Sequence, residues 1–163
     1  LTRSEMKDME ARMVEFFKGF LENKALIAAL VAWAIAQGAK AILYTIVNKE
    51  FKFERLVGSG GMPSSHAATV CALATAVAIE FGLGSFEFAI SFVLASVVLH
   101  DARGVRQEAG KQAVTITAII DHLIAEWKIL ELPELELKEL IGHTPLQVLI
   151  GSIMGIGIGI WLG

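Results

Sequence analysis

Apolar positions are distributed along this chain in two ways: recurring at intervals of three and four, and packed into nearly unbroken runs. The first pattern covers residues 2–22, where Met6, Met9, Met13, Phe16, Phe17 and Phe20 lie at helical spacing, which predicts one apolar face of a helix. Thr2 and Glu5 stand in the order of a capping box at its start. Lys7, Arg12 and Lys18 fall mostly off the stripe. Two placements fit such a helix: on a bilayer surface, or against the rest of the domain or a second subunit.

The second pattern occurs four times. Residues 25–47, "ALIAALVAWAIAQGAKAILYTIV", are long enough to span a hydrocarbon core at ~1.5 Å per residue, and Gln37 and Lys40 are unusual residues within such a span. Residues 67–82 form a second run, "GLGS" a short turn, and residues 86–99 a run back. Both runs are shorter than the ~20 residues typical of a span, so they cross if tilted or if the bilayer thins. They read as a tight helical hairpin. The last run, from Thr144 to the end, carries Gly151, Gly155 and Gly159 four apart, a small-residue face for close helix packing.

The largest polar stretch is residues 100–144. It reads as helical beyond Gly104, with Val114, Ile116, Ile119, Ile120, Leu123 and Ile124 on an apolar face. "ELPELELKELIGH" then reads as a loop or a short surface helix broken at Pro133. Four crossings at 25–47, 67–82, 86–99 and 145–163 put the connections 48–66 and 100–144 on one side of a membrane. The chain ends and the "GLGS" turn fall on the other. The first side carries eight Lys or Arg and the second five, too even a split for the positive-inside rule to orient the chain.

Composition agrees with a membrane protein: 55% of the residues are hydrophobic and 19% charged, against about 45–50% and about 25% in soluble domains. The expected fold is all-α: a small polytopic membrane helix bundle, residues 25–163, preceded by an amphipathic helix over 1–24. A net charge of −3 gives no reason to expect a nucleic-acid partner. Cys71, the single cysteine, reads as a small buried hydrophobe. The chain opens at Leu1, as a processed or partial chain does, and its charged first twenty residues do not fit a secretory signal.

Chemistry gathers on the side of the two polar connections. Lys40, Arg55, Arg103, Arg106 and Lys111 accompany His66 and His143 there. Ionisable groups at a membrane boundary are costly unless paired or wetted, so their clustering points to a site. Guanidinium donors suit phosphate oxygens, and the helix start after "GGMPSSH" offers free N–H groups to an anion. Ser64 and Ser65 can cap that helix or donate to phosphate. A histidine in such a turn is placed to exchange a proton with a phosphate ester, and a second could attack phosphorus. His100 and His122 read as structural or solvated.

"PSSH" resembles the P-S-G-H motif of the type 2 phosphatidic acid phosphatases, which share a fold with vanadium haloperoxidases. "GHTPLQVLIG" resembles their later histidine motif, H-x-x-x-D. With "HDARGVRQEAGKQA", these motifs resemble a divergent branch of that superfamily over residue 25 to the end. The resemblance implies that His66 protonates the leaving group, Ser64 binds phosphate and His143 is the nucleophile. Ser65 stands where the family has glycine. The family's first motif, K-x6-R-P, is absent; Lys40 and Arg55 are substitutes by position. The family's later arginine lies close before the nucleophile, whereas Arg103 and Arg106 lie about forty residues earlier. Gln147 replaces the aspartate that would polarise His143. An amide fixes a ring's orientation but does not stabilise an imidazolium as a carboxylate does.

The expected activity is therefore hydrolysis of a phosphate monoester, on a lipid, through a phosphohistidine and without cofactor or metal. Lys40, Arg55, Ser64, Ser65, Arg103, Arg106 and Lys111 would hold the phosphate, with Asp101, Glu108 and Gln147 in support. Alternatively, Asp101 and Glu108 hold magnesium on the substrate, or the protein binds anionic lipid or phosphate without catalysis. A haloperoxidase fits poorly, since membrane spans point to a lipid. The partners expected are membrane lipid and a phosphate ester, with no nucleic acid and a second copy of the chain as an option.

Overall fold

Alanine fills the positions where the helices of this protein meet. The computed structural model describes residues 3–50, 61–127 and 144–163, apart from the side chains of 105–109, 111, 121, 124, 125 and 127. The helices are α1 (Arg3–Glu22), α2 (Lys24–Asn48), α3 (Ser65–Phe81), α4 (Phe86–Arg103), α5 (Val105–Trp127) and α6 (Pro145–Leu162). No strand occurs among the described residues.

The helix α3 is central, packing on α2, α4 and α6. It buries Ala67, Ala68, Ala72, Ala74 and Ala76, while α2 buries Ala25, Ala28, Ala29, Ala32 and Ala36. These residues allow backbones to approach closely. On α6, Gly151, Gly155 and Gly159 extend the same principle: a Cβ at Gly155 would lie 2.2 Å from the Ala68 carbonyl oxygen, and one at Gly151 2.4 Å from that of Ser64. The predicted small-residue face is thus the α3–α6 seam. Large apolar side chains point the other way: Leu30, Trp33, Ile42, Phe92, Ile153 and Trp161 are all exposed. A soluble domain rarely shows apolar surface on this scale. Small residues inside and large ones outside are what helices packed in lipid require.

Packing partners fix the directions. Ala28 meets Ala76 near one end of α2 and Ala36 meets the Ala68–Ala72 region further along, so α2 runs antiparallel to α3. The helix α6 runs parallel to α3, with Gly151 against Ser64 and Gly159 against Ala72. Ala102 of α4 packs with Ala67 and Val148. The starts of α3 and α6, the end of α4 and Lys40 therefore share one end of the bundle, as the connectivity predicts. Two boundaries differ from the sequence reading. His66 is the second residue of α3 rather than its threshold, and His100–Arg103 continue α4 instead of opening a loop. Each helix keeps its own backbone hydrogen bonds through these polar residues, so hydropathy alone ends the elements too early. Only α2 and α6, among the described helices, are long and apolar enough to cross a membrane by themselves; α3 is shorter.

Candidate functional site

Among the described residues, four of the five buried polar side chains, Gln37, Lys40, Ser64 and Ser65, lie toward this one end. Lys40 is 3% exposed, and its Nζ donates to Gln37 Oε1 at 2.6 Å. The i, i+3 spacing puts the two on one face of α2. The lysine stem runs beneath the glycine turn: a Cβ at Gly61 would sit 3.1 Å from Lys40 Cγ. Gly61 also has φ +86°, a left-handed conformation natural to glycine. The sequence marks Gln37 only as unusual within an apolar run; its spacing from Lys40 is the signal that links the two.

Ser64 is fully buried and caps α3, its Oγ accepting from the Ala67 N–H at 3.4 Å. Its own N–H donates to the Gln147 carbonyl at 3.1 Å, tying the glycine-rich turn to the first turn of α6. Of the two roles open to this serine, capping is the one seen. Ser65 is buried, and its carbonyl accepts from Thr69 Oγ1 at 2.7 Å. His66 follows on α3, half-buried, with Nδ1 shielded from solvent.

The start of α6 is a capping box legible in "TPLQ": Gln147 N–H donates to Thr144 Oγ1 at 3.4 Å, and Thr144 N–H to Gln147 Oε1 at 3.1 Å. Pro145 occupies the first helical turn, where its missing N–H costs nothing. Gln147, which replaces the family's aspartate, is therefore part of the cap and also supplies the carbonyl that holds Ser64.

The structure thus brings together Lys40, Ser64, Ser65, His66 and Gln147. Arg103 is the last residue of α4 and exposed, beside Ala102, which packs at this end. Asp101 is half-buried and lines a hollow with Ser96, Val97 and His100. His100 is exposed on the α4 face opposite Ala102. Arg106, Glu108 and Lys111 belong to the first turns of α5, but their side chains lie outside the described residues. Arg55 and His143 lie outside them altogether, although Thr144, the next residue after His143, is the α6 cap. His122 is exposed and 3.5 Å from Glu126 Oε2, a solvated pair on α5. No cluster of metal-ligating residues occurs among the described residues.

Physically, this end collects positive potential. The helices α3 and α6 begin at this end and run parallel, each turning a positive dipole end toward it. The stem of the buried Lys40 passes under Gly61, three residues before the Ser64 cap of α3. Such an arrangement suits an anion with several oxygens.

Residues 21–158 match the divergent PAP2 family. The chain is also 38% identical to a Bacillus subtilis (strain 168) protein described as the uncharacterized membrane protein YuiD, an alignment covering 83% of this chain and 91% of that one. No solved structure matches. With the inverted packing of its helices, these matches identify the chain as a membrane protein that belongs to the divergent PAP2 family.

Proposed function

We propose that this polar end binds the phosphate of a membrane lipid phosphate monoester and hydrolyses it, in a protein that crosses the bilayer with α2, α3, α4 and α6. The observation that carries this reading is the buried Lys40, bonded to Gln37 with its stem under Gly61, at the end of the bundle where the parallel helices α3 and α6 begin. A lysine in the interior of a membrane helix marks a functional position, and the positive ends of two helices there favour an anion. His143 attacks phosphorus through an imidazole nitrogen, and the ester P–O bond breaks. The departing alkoxide takes a proton from His66. Water then attacks the phosphohistidine, releasing inorganic phosphate and restoring the imidazole. Lys40 and Arg103, with the helix N–H groups, offset charge on the equatorial oxygens.

Purified protein assayed for phosphate release from a panel of phospholipid monoesters tests this reading. The expected result is turnover that vanadate inhibits and a chelator leaves unchanged. His143→Ala should abolish it with the fold intact. His66→Ala should be rescued in part by a nitrophenyl ester, whose leaving group needs no proton. A His143→Ala protein as active as wild type would overturn the mechanism.

The engagement of Gln147 in the α6 cap favours a second reading, a protein that binds anionic lipid or phosphate without turning it over. Vanadate and phosphate binding with no hydrolysis, in wild type and Gln147→Asp alike, would select it.

A further inference from the structure

α1 buries none of its residues, although it carries the chain's clearest amphipathic pattern. Met6, Met9, Met13, Phe16, Phe17 and Phe20 are all exposed. Packing on the rest of the bundle, one of the placements open to the sequence, is therefore not what holds this face. We infer that α1 lies in the bilayer interface at the end of the bundle opposite the candidate site, with its Met/Phe stripe immersed in lipid.

Three observations carry this choice of occupant. One residue, the extended Asn23, separates α1 from α2, which it caps through Oδ1 and the Leu26 N–H at 2.9 Å. The helix α1 is thus attached directly to the start of a helix long and apolar enough to cross a membrane. The stripe also grows heavier toward that junction, from methionines at 6, 9 and 13 to phenylalanines at 16, 17 and 20. A helix that dips toward hydrocarbon at its attached end needs this gradient; a flat contact with a second copy does not. Finally, the other face is polar: Lys18 pairs with Glu22 at 3.8 Å, both well exposed.

The charge of α1 says what kind of bilayer is needed. Four basic residues face five acidic ones within Arg3–Glu22, so no attraction to anionic lipid is available. Tethering replaces it: attachment to α2 raises the effective concentration of α1 at the membrane, and modest apolar burial suffices. The anchor is therefore indifferent to anionic headgroups.

Site-directed spin labelling tests this on the full chain in phosphatidylcholine vesicles, with and without phosphatidylglycerol. In a Cys71→Ala background, single cysteines replace residues 9, 13, 16, 17 and 20 on the stripe and 8, 11, 15, 18 and 22 off it. Collision with oxygen relative to a water-soluble nickel chelate should be several-fold higher on the stripe, with a period of ~3.6 residues. It should be greatest at 16, 17 and 20 and unchanged by phosphatidylglycerol. Stripe labels closed to both reagents, with spin–spin broadening from a second copy, would overturn the inference in favour of a dimer. Labels uniformly open to the nickel chelate would overturn it in favour of a helix in water.

Discussion

Two short turns capped by serine flank α3, "GMPS" before it and "GLGS" after it, and they use the same chemistry to opposite ends. Ser85 caps α4 by accepting from the Phe88 N–H at 3.1 Å, and its own hydroxyl donates to the Gly82 carbonyl at 2.7 Å. Every bond is local, and residues 82–84 are exposed. Ser64 also caps its helix, but it is buried, and its N–H is spent on Gln147 of another helix. A local turn only reverses the chain. A turn satisfied by a distant element fixes where two helix N-termini lie, and a buried lysine accompanies that second kind here.

The sharpest way to break this contrast is to add one methyl group at each end. Gly151→Ala puts a Cβ 2.4 Å from the Ser64 carbonyl oxygen, whereas nothing lies within 4 Å of a Cβ at Gly84. The clash is with backbone, so Gly151→Ala should destabilise by about 3 kcal/mol, the upper part of the range for overpacking. Gly84→Ala should leave thermal unfolding in detergent nearly unchanged. Equal behaviour of the two would mean that the α3–α6 seam is not held as tightly as described.

A smaller effect separates the two ends by charge. Lys40→Met should weaken vanadate binding by roughly one to two orders of magnitude, the equivalent of losing a charge-assisted hydrogen bond worth ~1.5–3 kcal/mol. Lys24, which donates to the Gly163 carbonyl at 3.3 Å at the opposite, exposed end, serves as the comparison. Lys24→Met should leave vanadate binding unchanged.

The caps themselves give the smallest difference. Removing a helix cap costs ~0.5–2 kcal/mol. Ser64→Ala should approach the upper value, since no water replaces the lost acceptor for the Ala67 N–H. Ser85→Ala should stay near the lower one, because water reaches that turn. Unfolding midpoints of the two variants, measured in one detergent, check the order.

The helices are legible in the sequence because a membrane helix satisfies its hydrogen bonds internally, so apolar runs mark where one lies. The glycine spacing of α6 predicts a close-packing face, and the structure adds that α3 is what it packs on. What the sequence withheld was tertiary. Nothing in a linear reading joins the Ser64 N–H to the Gln147 carbonyl, more than eighty residues on. His100–Arg103 looked like loop because charged residues at a helix end mimic one. Gln37 looked like an isolated polar residue until its spacing from Lys40 became a bond. The expected approach of His66 to His143 involves a residue outside the described part of the chain, so it belongs to the proposal.

The position of Lys40 along α2 has a consequence for the proposed substrate. Lys40 lies sixteen residues after Lys24, ~24 Å along α2 at ~1.5 Å per residue, and α2 runs on for two further turns to Asn48. The hydrocarbon layer is ~30 Å thick. In the crossing arrangement proposed above, the ammonium thus sits several ångströms below the headgroup plane rather than level with it. Depth then acts as a ruler. A phosphate joined directly to a chain-bearing backbone is carried down to that level by its own tails. An equally charged phosphate on a soluble ester must leave water to reach it, so discrimination between lipid and soluble substrates would arise from position along the membrane normal, with no pocket shaped to a headgroup.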